Sequence, residues 1–263
     1  MLTNSKKYKL ILFLCLVGLL LTLSGCGMTR SPISSDSSGI WDHYFVYTFS
    51  SVLTFVASFF HGNYGLSIII VTIMVRLVLL PFMLSQSKSQ EKMKSLQPEM
   101  KALREKYSAK DQGSQKKLQE ETIALYQRHG VNPLSIGCLP MLIQLPILLA
   151  FYYAIIRTKE IAAHNFLWFN LGHADPFFIL PIVVAVSSYI QNSLMMKETV
   201  KDNPQMAMMR YVSPIMMALF SIGAPAAIPL YWFVGSVFMI GQYYLLKYVK
   251  NDTTNLSIES SSK

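Results

Sequence analysis

Arg76 is the residue whose chemistry most needs explaining, because it stands inside the apolar run Asn63 to Leu84, NYGLSIIIVTIMVRLVLLPFML. About 20 apolar residues in a helix cross a bilayer. At a rise of about 1.5 Å per residue, Arg76 stands about 13 Å from Ser85, away from the interface. Arginine at mid-membrane costs about 2.5 to 3.5 kcal/mol on insertion scales, so it usually faces a polar cavity or a partner. Snorkelling to the headgroups is the competing explanation, and it asks the side chain to reach down about two turns. Thr72 shares the helix face of Arg76, one turn earlier. Gln144, Gln191 with Asn192, and Trp232 also fall within apolar runs. If these faces converge, they enclose a wet cavity with positive charge. Taken singly, such residues more often make interhelical hydrogen bonds worth about 0.6 to 2 kcal/mol, and for Gln144 that is the better reading.

Catalytic machinery is not visible. No GxxxxGK[ST] phosphate loop, metal-ligand cluster, Ser/His or Asp/Asp arrangement lies within the spans. Cys15, Cys26 and Cys138 are odd in number and fall in three different apolar contexts, which describes neither a disulfide framework nor a metal site. His43, His61, His129, His164 and His173 lie outside the predicted spans and form no HExxH pair. The expectation is a protein that is not an enzyme, with no cofactor and no metal. The 263 residues are 52% hydrophobic and 14% charged, against roughly 25% charged in soluble domains. This is the composition of a membrane protein. A net charge of +9 could suggest nucleic acid, but the basic residues lie mostly between apolar segments, where they set topology. Direct nucleic-acid binding is therefore not expected.

The scaffold around Arg76 is readable in chain order. Lys6, Lys7 and Lys9 precede the apolar run Leu10 to Leu23, which ends in Leu-Ser-Gly-Cys. Residues 1–25 read as a cleavable export signal and 26–40 as a polar outer tether. In residues 41–61, Trp41, Phe45, Phe49, Val52, Val56 and Phe59 recur at helical spacing opposite Ser50, Ser51, Thr54 and Ser58. They predict an amphipathic helix in the outer interface. Residues 62–84 form the first span. Residues 85–132 come next, holding ten basic against six acidic residues between Ser85 and Arg128, a balance that keeps a loop cytoplasmic. There Met93, Leu96, Met100, Leu103 and Tyr107 mark a narrow apolar seam, and a second helix runs from about Gln115 to His129, so the segment predicts a helical hairpin. Its charged surface is either simply solvated or used for docking.

Four more spans are predicted at 133–157, 175–196, 205–222 and 226–249. An outer loop at 158–174, a cytoplasmic loop at 197–204, an outer turn at 223–225 and a cytoplasmic tail at 250–263 complete the chain. Asn132-Pro133, Asp175-Pro176 and Asn203-Pro204 each place a capping side chain before a proline, which suits helix starts. Lys247 and Lys250 agree with a C-terminus inside. The fold class is thus an all-α polytopic membrane protein. Met195, Met196, Met206, Met208, Met209, Met216 and Met217 cluster around the third and fourth spans. Flexible thioethers suit either a surface for varied apolar partners or plain filler.

The runs NYGLSIIIVTIMVRLVLLP (63–81), LQPEMKALREKY (96–107), HGVNPLSIGCLPMLIQLPILLAFYYAI (129–155), FLWFNLG (166–172), DPFFILPI (175–182), NPQMAMM (203–209) and PLYWFVGSVFMIGQ (229–242) resemble the YidC/Oxa/Alb family of membrane protein insertases. The resemblance covers about residues 41 to 250 in the family's order. The Leu-Ser-Gly-Cys start resembles the lipobox of the Gram-positive type, which implies cleavage before Cys26 and lipid attachment to its thiol. The family further implies five mature spans and a groove open to cytoplasm and lipid. Arg76 corresponds to its groove arginine, Thr72 to a groove residue one turn earlier, Trp232 to a substrate-contacting aromatic and Gln191 to a polar groove position. Gln144 is the further polar candidate.

The implied function is membrane insertion and folding of hydrophobic segments arriving from the cytoplasm, with or without the Sec translocon. Partners would be nascent membrane proteins, the ribosome, the signal recognition particle pathway and membrane lipids. The location would be the bacterial plasma membrane, with the mature N-terminus outside. The alternative is a small channel or transporter using Arg76 for an anionic solute. Five spans without an evident inverted repeat and a single arginine are thin support for it. A structural lipoprotein is a third reading, in which only Cys26 and the surface loops would matter.

Overall fold

A computed structural model describes residues 31–37, 39–107, 111–131, 133–196 and 204–261. The export signal, Cys26, most of the tether, Asn132, Asn203 and the 197–203 connection lie outside the described residues. The chain divides into Met1–Pro32 and Ile33–Lys263, and the described elements all belong to the second unit.

That unit is mostly helical. A π-helical segment, Asp42–Tyr47, runs directly into α1, Thr48–Phe59. Next come α2 (Tyr64–Ser95), α3 (Gln97–Lys106), α4 (Gln112–Arg128) and α5 (Pro133–Arg157). A short α6 (Lys159–Ala162) leads to a two-stranded antiparallel hairpin, β1 (Asn165–Phe166) and β2 (Phe169–Asn170). The chain closes with α7 (Ile179–Met195), α8 (Pro204–Gly223) and α9 (Ala227–Ser261).

Local chemistry accounts for the boundaries. His61 and Gly62 adopt φ of 54° and 79° and reverse the chain after α1. Asn63 then caps α2, its Oδ1 accepting from the Leu66 N–H at 3.0 Å. The helix does not give way to the polar segment at Ser85 but runs on to Ser95, with Pro81 inside it. No strong breaker stands between Pro81 and Pro98, which occupies the first turn of α3 where proline is welcome. Asp175 does not act as the N-cap of α7. That helix starts at Ile179 behind a left-handed Phe178 (φ 57°). The buried Asp175 carboxylate instead accepts from the Leu180 and Phe177 N–H groups and from Trp168 Nε1, at 2.7, 3.2 and 3.1 Å. One charge thus ties the 158–174 connection to the start of α7. The connection is itself ordered by α6 and the β-hairpin, a small departure from an all-α chain. A segment pressed onto a bundle must pair its own backbone groups.

The exposed face of α1 is not the one its polarity suggests. Phe45, Phe55 and Phe59 are exposed, whereas Val46, Ser50, Leu53 and Ala57 are buried. Ser50 and Thr158 share a 2.7 Å hydrogen bond between their hydroxyls. Small residues let helices approach closely, and of the aromatic positions Trp41 and Phe49 still pack against the core, Phe49 edge-on to Phe151.

In the packing, α1 lies on α2 and α5, α2 on α9, and α7 on both α8 and α9, while α3 packs on α4 with Leu96, Met100 and Leu125 buried. The main core joins Ile68 and Val71 of α2, Phe151 to Ile155 of α5, Phe169 and Leu171 of the connection, and Ala226 to Val234 at the start of α9. It therefore fills the half of the bundle nearest residues 158–174. Leu77 and Val78 of α2, Ile182 and Val186 of α7, and Leu219 and Phe220 of α8 are among many large apolar side chains left exposed, as a surface facing lipid would carry. Among the described residues α2 is long and apolar enough to cross a membrane, and Leu142–Arg157 and Ile179–Met195 are shorter apolar helices.

Candidate functional site

Arg76 lies half-buried at the edge of the core, and among the described residues no carboxylate pairs with it. Its position depends on a glycine. A Cβ at Gly235 of α9 would stand 2.7 Å from Arg76 Nη2, so the guanidinium could keep its present place only against the bare backbone and would otherwise have to shift. Tyr231 lies one turn earlier on α9, 3% exposed, with its hydroxyl within electrostatic reach of Arg76. The Gln144 amide of α5 donates to that hydroxyl. Three helices thus converge: α2 supplies the charge, α9 the glycine and the phenol, and α5 the amide.

The other expected residues are placed differently. Thr72 is buried at 1% exposure, and its hydroxyl donates to the Ile68 carbonyl one turn back at 2.6 Å. It supports the helix under Arg76 and does not line open space. Gln144 makes an interhelical hydrogen bond, the plainer of its two roles. Trp232 is half-buried against the core cluster, a helical step round from Tyr231. Gln191 is half-buried on α7, and no described contact joins it to Arg76. Tyr231 and Gly235 escaped the sequence reading. Tyr231 is one of several aromatics in the PLYW run and carries no signal by type alone, whereas a glycine inside an apolar helix is a signal of close approach.

Arg210 escaped it too. Its guanidinium lies over the rings of Tyr211 and Tyr189, 5.0 and 5.8 Å from their centroids, and donates to the Tyr211 hydroxyl at 2.8 Å. Farther out, Asp42 and Arg157 form a 2.8 Å ion pair, with the Arg157 side chain 4% exposed. No group of three or more His, Cys, Asp or Glu that could hold a metal occurs among the described residues.

A half-buried arginine without a carboxylate partner among the described residues, set among helices that expose apolar residues, defines a membrane protein with a charged interior site. Residues 55–253 match the family model described as the 60Kd inner membrane protein. The chain is 53% identical over 241 residues to the membrane protein insertase MisCA of Bacillus subtilis (strain 168), covering 92% of each. It is 52% identical to the membrane protein insertase YidC 2 of Bacillus anthracis, covering 92% of this chain and 94% of that one. A crystal structure of an active YidC insertase with its first transmembrane domain resolved is similar at a TM-score of 0.63 and 28% identity, over 79% of this chain. The chain spans 47% of that crystallised protein. This chain belongs to the YidC family of bacterial membrane proteins.

Proposed function

We propose that this chain, a membrane protein insertase of the YidC family, moves the polar flank of a substrate past Arg76 while the substrate's apolar helix passes into lipid. The observation that carries the reading is the guanidinium held against Gly235 at the edge of the core, with no carboxylate partner among the described residues. Carrying polar or acidic residues across hydrocarbon costs several kcal/mol, and a wet groove shortens the dry path. Arg76 attracts an acidic flank more strongly at low dielectric than in water. The driving force comes from placing the substrate's apolar helix in lipid and, for acidic flanks, from the membrane potential, about 2.3 kcal/mol per charge per 100 mV. No nucleotide and no catalytic step are required.

In this reading the spans are 62–84, 133–157, 175–196, 205–222 and 226–249, with 85–132 a cytoplasmic hairpin and 41–61 at the outer interface. Cys26 carries the lipid anchor, and Arg76, Tyr231, Gln144, Trp232 and Gln191 line or border the groove. The ribosome, the signal recognition particle pathway and the Sec translocon are the partners to test at the hairpin. The anion channel built on Arg76 has no support from relatives named as insertases at 53% and 52% identity.

Replacing Arg76 with Ala, and separately with Lys, in cells depleted of the native protein tests the role of the charge. Insertion of a single-span substrate with an acidic flank should be lost with Ala and retained with Lys. Normal insertion with both would end this account of the groove.

A further inference from the structure

Where α7 and α8 pack on each other, Arg210 of α8 is held in place by aromatic rings. Its guanidinium lies over Tyr211 of α8 and Tyr189 of α7, and its Nη2 donates to the Tyr211 hydroxyl at 2.8 Å. The two rings stack with their centroids 5.5 Å apart. Tyr189 stands six residues before Met195 at the end of α7, and Arg210 six residues after Pro204 at the start of α8. The cluster therefore lies about 9 Å in from both helix ends. An arginine that only sets topology needs no such clamp. Among the described residues no carboxylate pairs with Arg210, and its half-exposed guanidinium has no hydrogen-bond partner at Nη1.

Each tyrosine heads an exposed apolar stripe. On α8, Ile215, Leu219 and Ile222 follow Tyr211, and on α7, Val186, Ile182 and Ile179 precede Tyr189, all exposed and at steps of three or four. That spacing keeps each stripe on one helix face, and both run from the cluster toward the far ends of the helices. We propose that the Arg210, Tyr211 and Tyr189 cluster binds the phosphate of an anionic phospholipid with an uncharged headgroup, phosphatidylglycerol in kind, whose acyl chains lie along the two stripes. A guanidinium fork matches phosphate oxygens, and one cation matches one phosphate. A choline or ethanolamine headgroup would seek the ring faces, but these already meet each other and the guanidinium, whose charge repels a second cation. A free phosphate would leave the apolar stripes unused. The inference goes beyond the insertase reading and needs only that α7 and α8 face lipid.

The test uses the full-length protein in maltoside micelles, with dioleoyl phosphatidylglycerol or dioleoyl phosphatidylcholine added, and reads bound lipid by native mass spectrometry. The unaltered protein should hold phosphatidylglycerol about fivefold more tightly, roughly what one basic residue is worth at an anionic surface. Arg210→Gln should lose that preference. Arg210→Lys keeps the charge without the planar fork, so it should keep a reduced preference, and it carries the test if the Gln variant does not fold. Thermal midpoints separate binding from a structural clamp: phosphatidylglycerol should raise that of the unaltered protein, and Arg210→Gln should abolish the rise. Equal retention of the two lipids by the unaltered protein overturns the inference, as does a preference left unchanged by either variant. A midpoint that Arg210→Gln lowers equally in both lipids makes the cluster a clip between α7 and α8 and overturns it too. Displacement of the lipid by equimolar glycerol phosphate would reduce the site to a free-anion site, and displacement by a short acidic peptide would assign it to a protein partner. Either result ends the proposal. Insertion by the Arg76 variants is a separate measurement, so the groove account and this lipid site stand or fall independently.

Discussion

At Arg76 the decisive neighbour is the residue with no side chain. Gly235→Ala puts a methyl 2.7 Å from Nη2 of the guanidinium. The clash is with the end of a flexible side chain, and alanine gains about 0.5 to 1 kcal/mol over glycine inside a helix. Stability should therefore hold or rise slightly while insertion of acidic-flank substrates falls as it does with Arg76→Ala. Paired denaturation and insertion assays check both arms, and unimpaired insertion would show that the guanidinium does not depend on that gap. The charge was legible in the sequence because arginine in a run of Ile, Val and Leu has no cheap explanation. Tyr231 was not, because one more aromatic in an aromatic-rich helix carries no signal until the fold brings Gln144 to its hydroxyl. Thr72 was misjudged for a related reason. Sharing a helix face with Arg76 says nothing of whether a hydroxyl bonds its own backbone, and this one does.

Between elements, two contacts hold the end of the bundle nearest residues 158–174. Asp42, in the π-helical segment, meets the buried Arg157 at the end of α5 at 2.8 Å. Asp42→Ala should lower the free energy of unfolding by about 1.5 to 3 kcal/mol, the usual range for a hydrogen bond to a charged group, measurable by detergent denaturation. No change would mean that other contacts of Arg157 suffice. In the adjoining connection, His164 stacks edge-on against Tyr64 of α2, and burial holds its imidazole below the ordinary histidine range. The unfolded chain therefore takes up that proton first as pH falls. The contribution to stability is flat above the unfolded pKa of about 6.5, declines as pH drops through it, and levels off once the folded imidazole is also protonated. His164→Gln should flatten this part of the thermal midpoint against pH, and an unchanged slope would assign the dependence elsewhere. Periodicity located these helices, but burial along α1 cuts across its polarity: Ser50 is buried with Leu53 and Val56, while Thr54 and Ser58 are exposed beside Phe55 and Phe59. Local breakers, Pro98 and the left-handed Phe178, set the end of α2 and the start of α7, so α2 runs past the span at 62–84 and α7 starts beyond the Asp175-Pro176 pair.

Across the whole molecule, the core fills the half of the bundle nearest residues 158–174. The five-span reading puts the core half outside. Single cysteines at Lys117 and Asn165, in a background with Cys138 replaced by Ser, should react with a membrane-impermeant maleimide only from the cytoplasm and only from the exterior, respectively. Labelling of both from one side would reverse or break the topology. The order of the helices and the membrane class were readable from apolar length and the basic loop. The convergence of α2, α5 and α9 was not, because it depends on side-chain packing between segments far apart in the chain.

One dimension of α2 has a mechanical consequence. Its 32 residues extend about 48 Å, against a hydrocarbon thickness of about 30 Å. In the five-span reading Asn63 caps the outer end, so most of the excess would emerge on the side of α3 and α4. The helix pair would then stand off the headgroup plane on a stiff post. That clearance would give an incoming chain a lateral approach to α2 and α9, without first parting the lipid beneath the hairpin.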